Sequence, residues 1–253
     1  MFGSRSRVTI LLGICLGSLL LGAAPALAST FQVSPVRLPL TASSSNGLLT
    51  VKNQSKETLR FQVTGFAWSQ DQAGQMVLSP TTDIVFFPTM LSLKPGDSRN
   101  LRVGAAIPFG ASEKTYRLFV EELPPVDASG TVNAVRVLMK MGIPVFLEAS
   151  KPVATPAIDA LGVQGQKLLF ALQDTGNTHF FTKRVHVSAL GEAGQSLFEQ
   201  DLPGWYVLAG GSRSYSLDLP RSACKASRIQ VRVETDATTL ESFLSLPGGA
   251  CSR

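Results

Sequence analysis

The chain has 253 residues, 44% hydrophobic and 16% charged, which suits one large domain or two of ordinary size and excludes a chain disordered by composition. Its 22 Gly and 15 Pro are close to average usage and exclude a collagen-like or low-complexity polymer. The net charge of +5 falls to +3 (21 basic against 18 acidic residues) once residues 1–28 are set aside, too little and too dispersed for a nucleic-acid footprint, so no nucleic-acid partner is expected.

Residues 1–28 read as a secretory signal. Arg5 and Arg7 precede an uncharged apolar run from Val8 to about Ala24, and Ala26-Leu27-Ala28 supplies the small residues a signal peptidase needs. A permanent anchor is the competing reading, but the run is short against the roughly 20 apolar residues of a membrane span. Ile14 before Cys15 does not fit a lipoprotein signal. Cleavage after Ala28 leaves a chain not embedded in the membrane and, in a bacterium, soluble in the periplasm. Cys15 leaves with the signal. Cys224 and Cys251 then form an even pair in an oxidising compartment, and a disulfide between them would close a loop of about 28 residues, worth roughly 3–4 kcal/mol in the chain-entropy model. Two thiols cannot by themselves hold a tetrahedral zinc, and His179 and His186 lack ligand-like spacing to them, so no metal is expected.

From there the chain reads as strands. Residues 48–51, 59–63, 101–103, 116–121 and 132–146 are short apolar or alternating runs. Asn53-Gln54-Ser55, Lys94-Pro95-Gly96-Asp97 and Pro108-Phe109-Gly110 separate them. The pattern resumes over 167–172, 182–190, 214–219 and 228–233, with turns at Asp174-Thr175-Gly176-Asn177 and Gly191-Glu192-Ala193-Gly194. No run of helical periodicity follows the signal. Many short strands with closely spaced turns predict all-β, antiparallel sandwiches. A break near Ser150-Lys151-Pro152 divides the chain into residues 29–150 and 151–253, each sized for an immunoglobulin-like domain. Within the second piece, Trp205 and Tyr206 read as core, and His179, after a Thr-Gly-Asn turn, as a turn-side polar residue.

One strand stands out. Val135, Val137, Met139, Met141, Ile143 and Val145 are apolar at every odd position, whereas the even positions include Arg136, Lys140 and Gly142. The pattern predicts a strand of about 11–12 residues, roughly 36–40 Å long, more than a small sandwich requires. Two readings stand: a long core strand, or a ribbon of which part fills another protein's core. Natural edge strands are normally blunted by charge or proline, and one left apolar invites strand addition.

Several segments together resemble the periplasmic pilus chaperones of the chaperone–usher pathway. Val33-Ser34-Pro35-Val36-Arg37 leads to Val51-Lys52-Asn53, and Phe87-Pro88 to Lys94-Pro95-Gly96 is followed by Leu101-Arg102-Val103. Glu113-Lys114-Thr115-Tyr116-Arg117-Leu118 runs on to Glu122-Leu123-Pro124-Pro125. Ile143-Pro144-Val145-Phe146, Asn177-Thr178-His179 and Gly204-Trp205-Tyr206-Val207-Leu208 resemble the archaic branch associated with spore-coat-U-like pilins. The resemblance implies two immunoglobulin-like sandwiches with a cleft between them, no cofactor, and two partners: pilus or fimbrial subunits and an outer-membrane usher. It implies a donor strand carrying Val135, Val137, Met139 and Met141. It also implies that a basic pair holds the subunit's terminal carboxylate: Arg37, and Lys140 with Arg136 in reserve, because Pro144 stands where the best-studied branch has lysine. Glu113 matches an acidic residue that helps join the domains, but Glu148 replaces the arginine expected as its partner.

Nothing points to catalysis: the chain has no Gly-x-Ser-x-Gly elbow, phosphate-binding glycine loop, His-Glu-x-x-His or paired-cysteine zinc spacing. The alternative binding role, a secreted sandwich module for carbohydrate or a surface protein, predicts an exposed aromatic cluster on one face.

Overall fold

The computed structural model describes residues 30–125 and 137–246. Ten strands come first: β1 (Phe31–Ser34), β2 (Leu38–Leu40), β3 (Asn46–Asn53), β4 (Leu59–Gln70), β5 (Met76–Pro80), β6 (Ile84–Phe87), β7 (Met90–Leu93), β8 (Ser98–Ala105), β9 (Lys114–Leu123) and β10 (Lys140–Leu147). They form two facing sheets, one ordered β1-β3-β8-β6 and the other β2-β10-β9-β4-β5, with β7 also paired to β4. Eight more follow: β11 (Pro156–Gln164), β12 (Lys167–Asp174), β13 (Phe180–Leu190), β14 (Ser196–Leu202), β15 (Tyr206–Val207), β16 (Ser212–Asp218), β17 (Arg228–Thr235) and β18 (Thr239–Ser245). These make a second sandwich from β11-β12-β16 and β14-β13-β17-β18, with β15 on β13. The fold is thus all-β, two immunoglobulin-like sandwiches in tandem, with a single short 3₁₀ turn at Ala223–Lys225 among the described residues.

The sandwiches follow from strict two-residue alternation, which puts every second side chain on one face of a strand. Leu49 and Val51, Phe61 and Val63, Leu101 and Val103, Leu118 and Val120, and Ile143 and Val145 fill the first core. Leu168, Phe170 and Leu172, Val185, Val187 and Ala189, and Ile229, Val231 and Val233 fill the second. Where the chain must turn inside this apolar surround, polar groups are satisfied: the buried Asn53 amide donates to the Glu57 and Leu93 carbonyls at 2.7 and 2.9 Å and accepts from the Ser55 N–H at 2.9 Å.

β10 has two neighbours of unequal length. On one side it pairs antiparallel with β9 along its whole length, Lys140 opposite Glu121 through Leu147 opposite Lys114. On the other it pairs parallel with β2 only from Val145 to Leu147. The strand is therefore internal at its C-terminal end and an edge from Lys140 to Pro144.

Trp205 and Tyr206 differ from the sequence expectation. Tyr206 packs against a third cluster, Trp68, Phe146 and Leu208, made of side chains from both sandwiches. Alternation along β15 cannot reveal that its outward face is covered by the other sandwich.

Candidate functional site

Two sandwiches with separate cores leave outward faces that meet through polar and aromatic side chains, Leu208 and a backbone hydrogen bond from Glu113 N–H to the Asn177 carbonyl. At the centre is Glu113, whose side chain is wholly buried. Its carboxylate accepts from Thr178 Oγ1 at 2.8 Å, from the His179 backbone N–H at 3.2 Å and from His179 Nδ1 at 2.7 Å. The His179 ring stacks on Phe146 of β10, centroids 3.8 Å apart and planes within 12°. Expected as a turn-side polar residue, His179 instead occupies the junction and meets the acid for which the sequence offered no arginine. Asn177 adds a donor to the Ala111 carbonyl at 2.7 Å, and Gln70 clamps β15 by donating to the Tyr206 carbonyl and accepting from Leu208 N–H. Within the second sandwich, Gly204 lets the segment before β15 lie close against β13, because a Cβ there would run into the Thr182 carbonyl.

Beside the junction lies the outward face of the β10-β9-β4 sheet. Register puts Lys140, Gly142, Pro144 and Phe146 of β10 opposite Glu121, Phe119, Arg117 and Thr115 of β9, with Phe66 and Trp68 beyond them on β4. Phe119 meets Phe66 edge-on and forms an apolar floor. Lys140 lies at the outer end: its Nζ is 2.8 Å from Glu121 Oε2 and 4.8 Å from the Phe119 ring centroid.

Arg37 enters from the loop in which the chain crosses from β1 to β2, and its side chain is 58% exposed. Its Nη1 lies 3.9 Å from Asp236 Oδ2 of the second sandwich, a loose pair. Arg117 reaches the same place from below, its guanidinium carbon 4.9 Å from the Trp68 ring and 5.5 Å from that of Trp205. Both arginines lie close to Tyr206: burial pushes its phenol above the ordinary value, and the positive fields of Arg37 and Arg117 oppose that rise.

The apolar row that runs through β10 and the residues before it changes character along its length. Leu147, Val145 and Ile143 are sealed in the first core, Met141 is half-buried against it, and Met139 and Val137 are 37% and 59% exposed. The strand's apolar row thus leaves its own core and continues into solvent beside the open edge. The Glu122 N–H donates to the Met139 carbonyl at 2.9 Å, one residue before the start of β10. Val135 and Arg136 lie outside the described residues, as does Cys251; Cys224 sits in the 3₁₀ turn.

Arg37 and Glu113 therefore share one junctional region, whereas Lys140 is four residues from Pro144, about 13 Å along the strand, with a cross-strand carboxylate of its own, and the exposed Met139 and Val137 lie farther out still. Sequence reasoning missed Arg117, Thr178, His179 and Tyr206. No sequence signal singles out Arg117, which alternates with Tyr116 and Leu118 as an outward polar residue of any strand would.

Residues 30–152 match the family described as pili and flagellar-assembly chaperone, PapD N-terminal domain. Solved structures resemble the whole arrangement. A chain of the CsuC–CsuE chaperone–tip adhesion subunit pre-assembly complex, from the archaic chaperone-usher Csu pili of Acinetobacter baumannii, is 21% identical at TM-score 0.56, over 84% of this chain and 97% of that one. A chain of the Salmonella enterica complex of SafA pilin with the SafB chaperone is 15% identical at TM-score 0.55, over 87% and 99%. The E. coli chaperone DraB is 18% identical at TM-score 0.54, over 88% and 98%. At these identities the likeness is one of fold. No curated protein sequence matches the chain.

Proposed function

From a chain that belongs, through residues 30–152, to the pili and flagellar-assembly chaperone family, we propose that it is a periplasmic chaperone that completes pilus subunits by donating strand β10. The single observation that carries this reading is the apolar row that runs through β10, buried at Ile143 and Val145 and exposed just before the strand at Met139 and Val137, next to an edge left open from Lys140 to Pro144. An incomplete subunit sandwich can pair its backbone with that edge and bury the exposed row in its groove. Each buried apolar side chain is worth about 1.5–3 kcal/mol of gross driving force, part of which is lost to ordering of the partner. Complexes of a chaperone with a tip adhesion subunit and with a pilin, known for the proteins of similar fold, support the same kind of partner here.

In this reading residues 1–28 direct export, residues 29–150 and 151–253 are the two domains, and Cys224 and Cys251 are joined. The chaperone keeps subunits from polymerising and hands them to an outer-membrane usher, where another subunit's segment replaces β10. Val137 and Met139, with Val135 before them, form the donated row, and Arg37 receives the subunit's terminal carboxylate. No observation favours a carbohydrate-binding module: Trp68, Trp205 and Tyr206 pack together at the junction instead of forming an exposed aromatic face.

The test is co-purification from periplasm with a small secreted subunit. Arg37→Ala should reduce recovered subunit to background while the chaperone's melting temperature stays within about 2 °C, since an exposed arginine contributes within roughly 0.5 kcal/mol to stability. Failure of the unsubstituted chaperone to bring down a subunit would overturn the function. Unchanged recovery with the substitution would remove the role of Arg37.

A further inference from the structure

β9 lays a series of inward side chains beside the apolar row of β10. Cross-strand register puts Val145 opposite Tyr116, Ile143 opposite Leu118 and Met141 opposite Val120. Tyr116, Leu118 and Val120 belong to the first core, and the β10 residues facing them are buried or half-buried. One step further the series changes. The next inward residue of β9 is Glu122, 2% exposed, and the register carried past Lys140 brings Met139 opposite it. The other buried charged residues of this sandwich, Glu113 and Arg117, have the opposite parity and lie toward the junction. Among the described residues, Glu122 is therefore the buried charge on the core side of the first sandwich.

The carboxylate changes the ladder as well as the surface. The Glu122 N–H donates to the Met139 carbonyl as in a strand pair, but the Met139 N–H donates to the Glu122 side chain, Oε2 at 3.4 Å, and β10 begins only at Lys140. An apolar side chain at this position would extend the core by one more cross-strand pair and give the Met139 thioether a surface to lie on. A carboxylate gives it none, because a thioether pressed onto it would strip polar surroundings from a buried charge. Met139 and Val137 are accordingly exposed, whereas Met141, beside Val120, packs on the core. Resting on the chaperone reading above, we infer that Glu122 is a positioning residue that turns the apolar row out of its own sandwich. By ending the core beside Met139, it keeps the row from folding back onto β9 and leaves it on offer to a subunit's groove.

The test replaces Glu122 with leucine and with glutamine in the full chain and reads Met139 itself. Hydrogen peroxide adds one oxygen to an accessible thioether, and mass spectrometry resolves Met139 from Met76, an exposed methionine on β5 that serves as internal standard. In Glu122→Leu the Met139 side chain should settle on the extended core. Its oxidation relative to Met76 should slow by about fivefold, and recovery of subunit from periplasm should fall by about tenfold or more. The leucine protein should melt at or above the original, since an apolar side chain replaces a buried charge. Glu122→Gln keeps a polar group and an acceptor oxygen beside Met139 and should match the original in both readouts. Unchanged Met139 oxidation in E122L overturns the inference. So does an E122L protein melting more than about 5 °C lower, which would mark the carboxylate as a structural strut, or an E122Q protein that behaves like E122L. Slowed oxidation with undiminished recovery overturns it too and leaves the chaperone reading standing. An unsubstituted chaperone that recovers no subunit defeats that reading, and the Met139 oxidation rates then decide the role of Glu122 in exposing the row.

Discussion

Val137→Asp should abolish recovery of the subunit while the chaperone itself folds and melts normally. Val137 is among the most exposed large apolar side chains of the first sandwich, so the free protein has little to lose from the change. The complex has much to lose. Burying valine in a subunit's groove gives about 1.5–3 kcal/mol, and the aspartate forfeits that and must also be desolvated without a partner, at a cost of several kcal/mol more. With each 1.4 kcal/mol worth about a factor of ten, affinity should fall by about a thousandfold or more. Pull-down of the subunit with matched amounts of both chaperones is the measurement. Normal recovery would mean that the exposed half of the β10 row lies outside the interface.

Glu113→Ala should have the largest effect on stability. It strips the acceptor from Thr178 Oγ1, the His179 backbone N–H and His179 Nδ1 at once, in a junction where the carboxylate is fully covered. Buried donors left unpaired cost about 1–3 kcal/mol each, and water entering the space left by the side chain returns some of it, so a net loss of about 3 kcal/mol is expected. For a chain of this size that lowers the melting temperature by roughly 6–12 °C, measurable by circular dichroism. Glu113→Gln keeps one acceptor oxygen and should recover about half of the loss. An E113A protein that melts like the original would show that the Glu113 hydrogen bonds contribute nothing measurable to the junction.

The sandwich architecture was legible because it rests on local periodicity. Leu49/Val51, Phe61/Val63 and Leu101/Val103 announce one buried face per strand without reference to anything distant. The anomaly of β10 was legible for the same reason, as six apolar residues at alternate positions. The junction was not. Glu113 meets Thr178 and His179 across some 65 residues, and Gln70 meets Tyr206 across 136. Nothing in the alternation of β9 or β15 tells which outward face another sandwich will cover. Lys140 illustrates the limit from the other side. Its parity with Pro144 is readable in the sequence, but its partner Glu121 is fixed by cross-strand register, which only the folded pairing of β9 and β10 reveals. Arg117 was hidden behind its own strand context: it alternates with core residues as any outward polar residue does, and only the second sandwich closes over it.

The passage of β10 from interior to surface has a metrological consequence. Because side chains alternate with a period of two, sliding this strand by one residue would expel Ile143 and Val145 and drive their polar neighbours inward. Those two side chains therefore act as the zero mark of a ruler, and each exposed residue is offered at a fixed count from it. For a chain that pairs with β10 as proposed, the alignment would be gauged against a datum buried in a different protein.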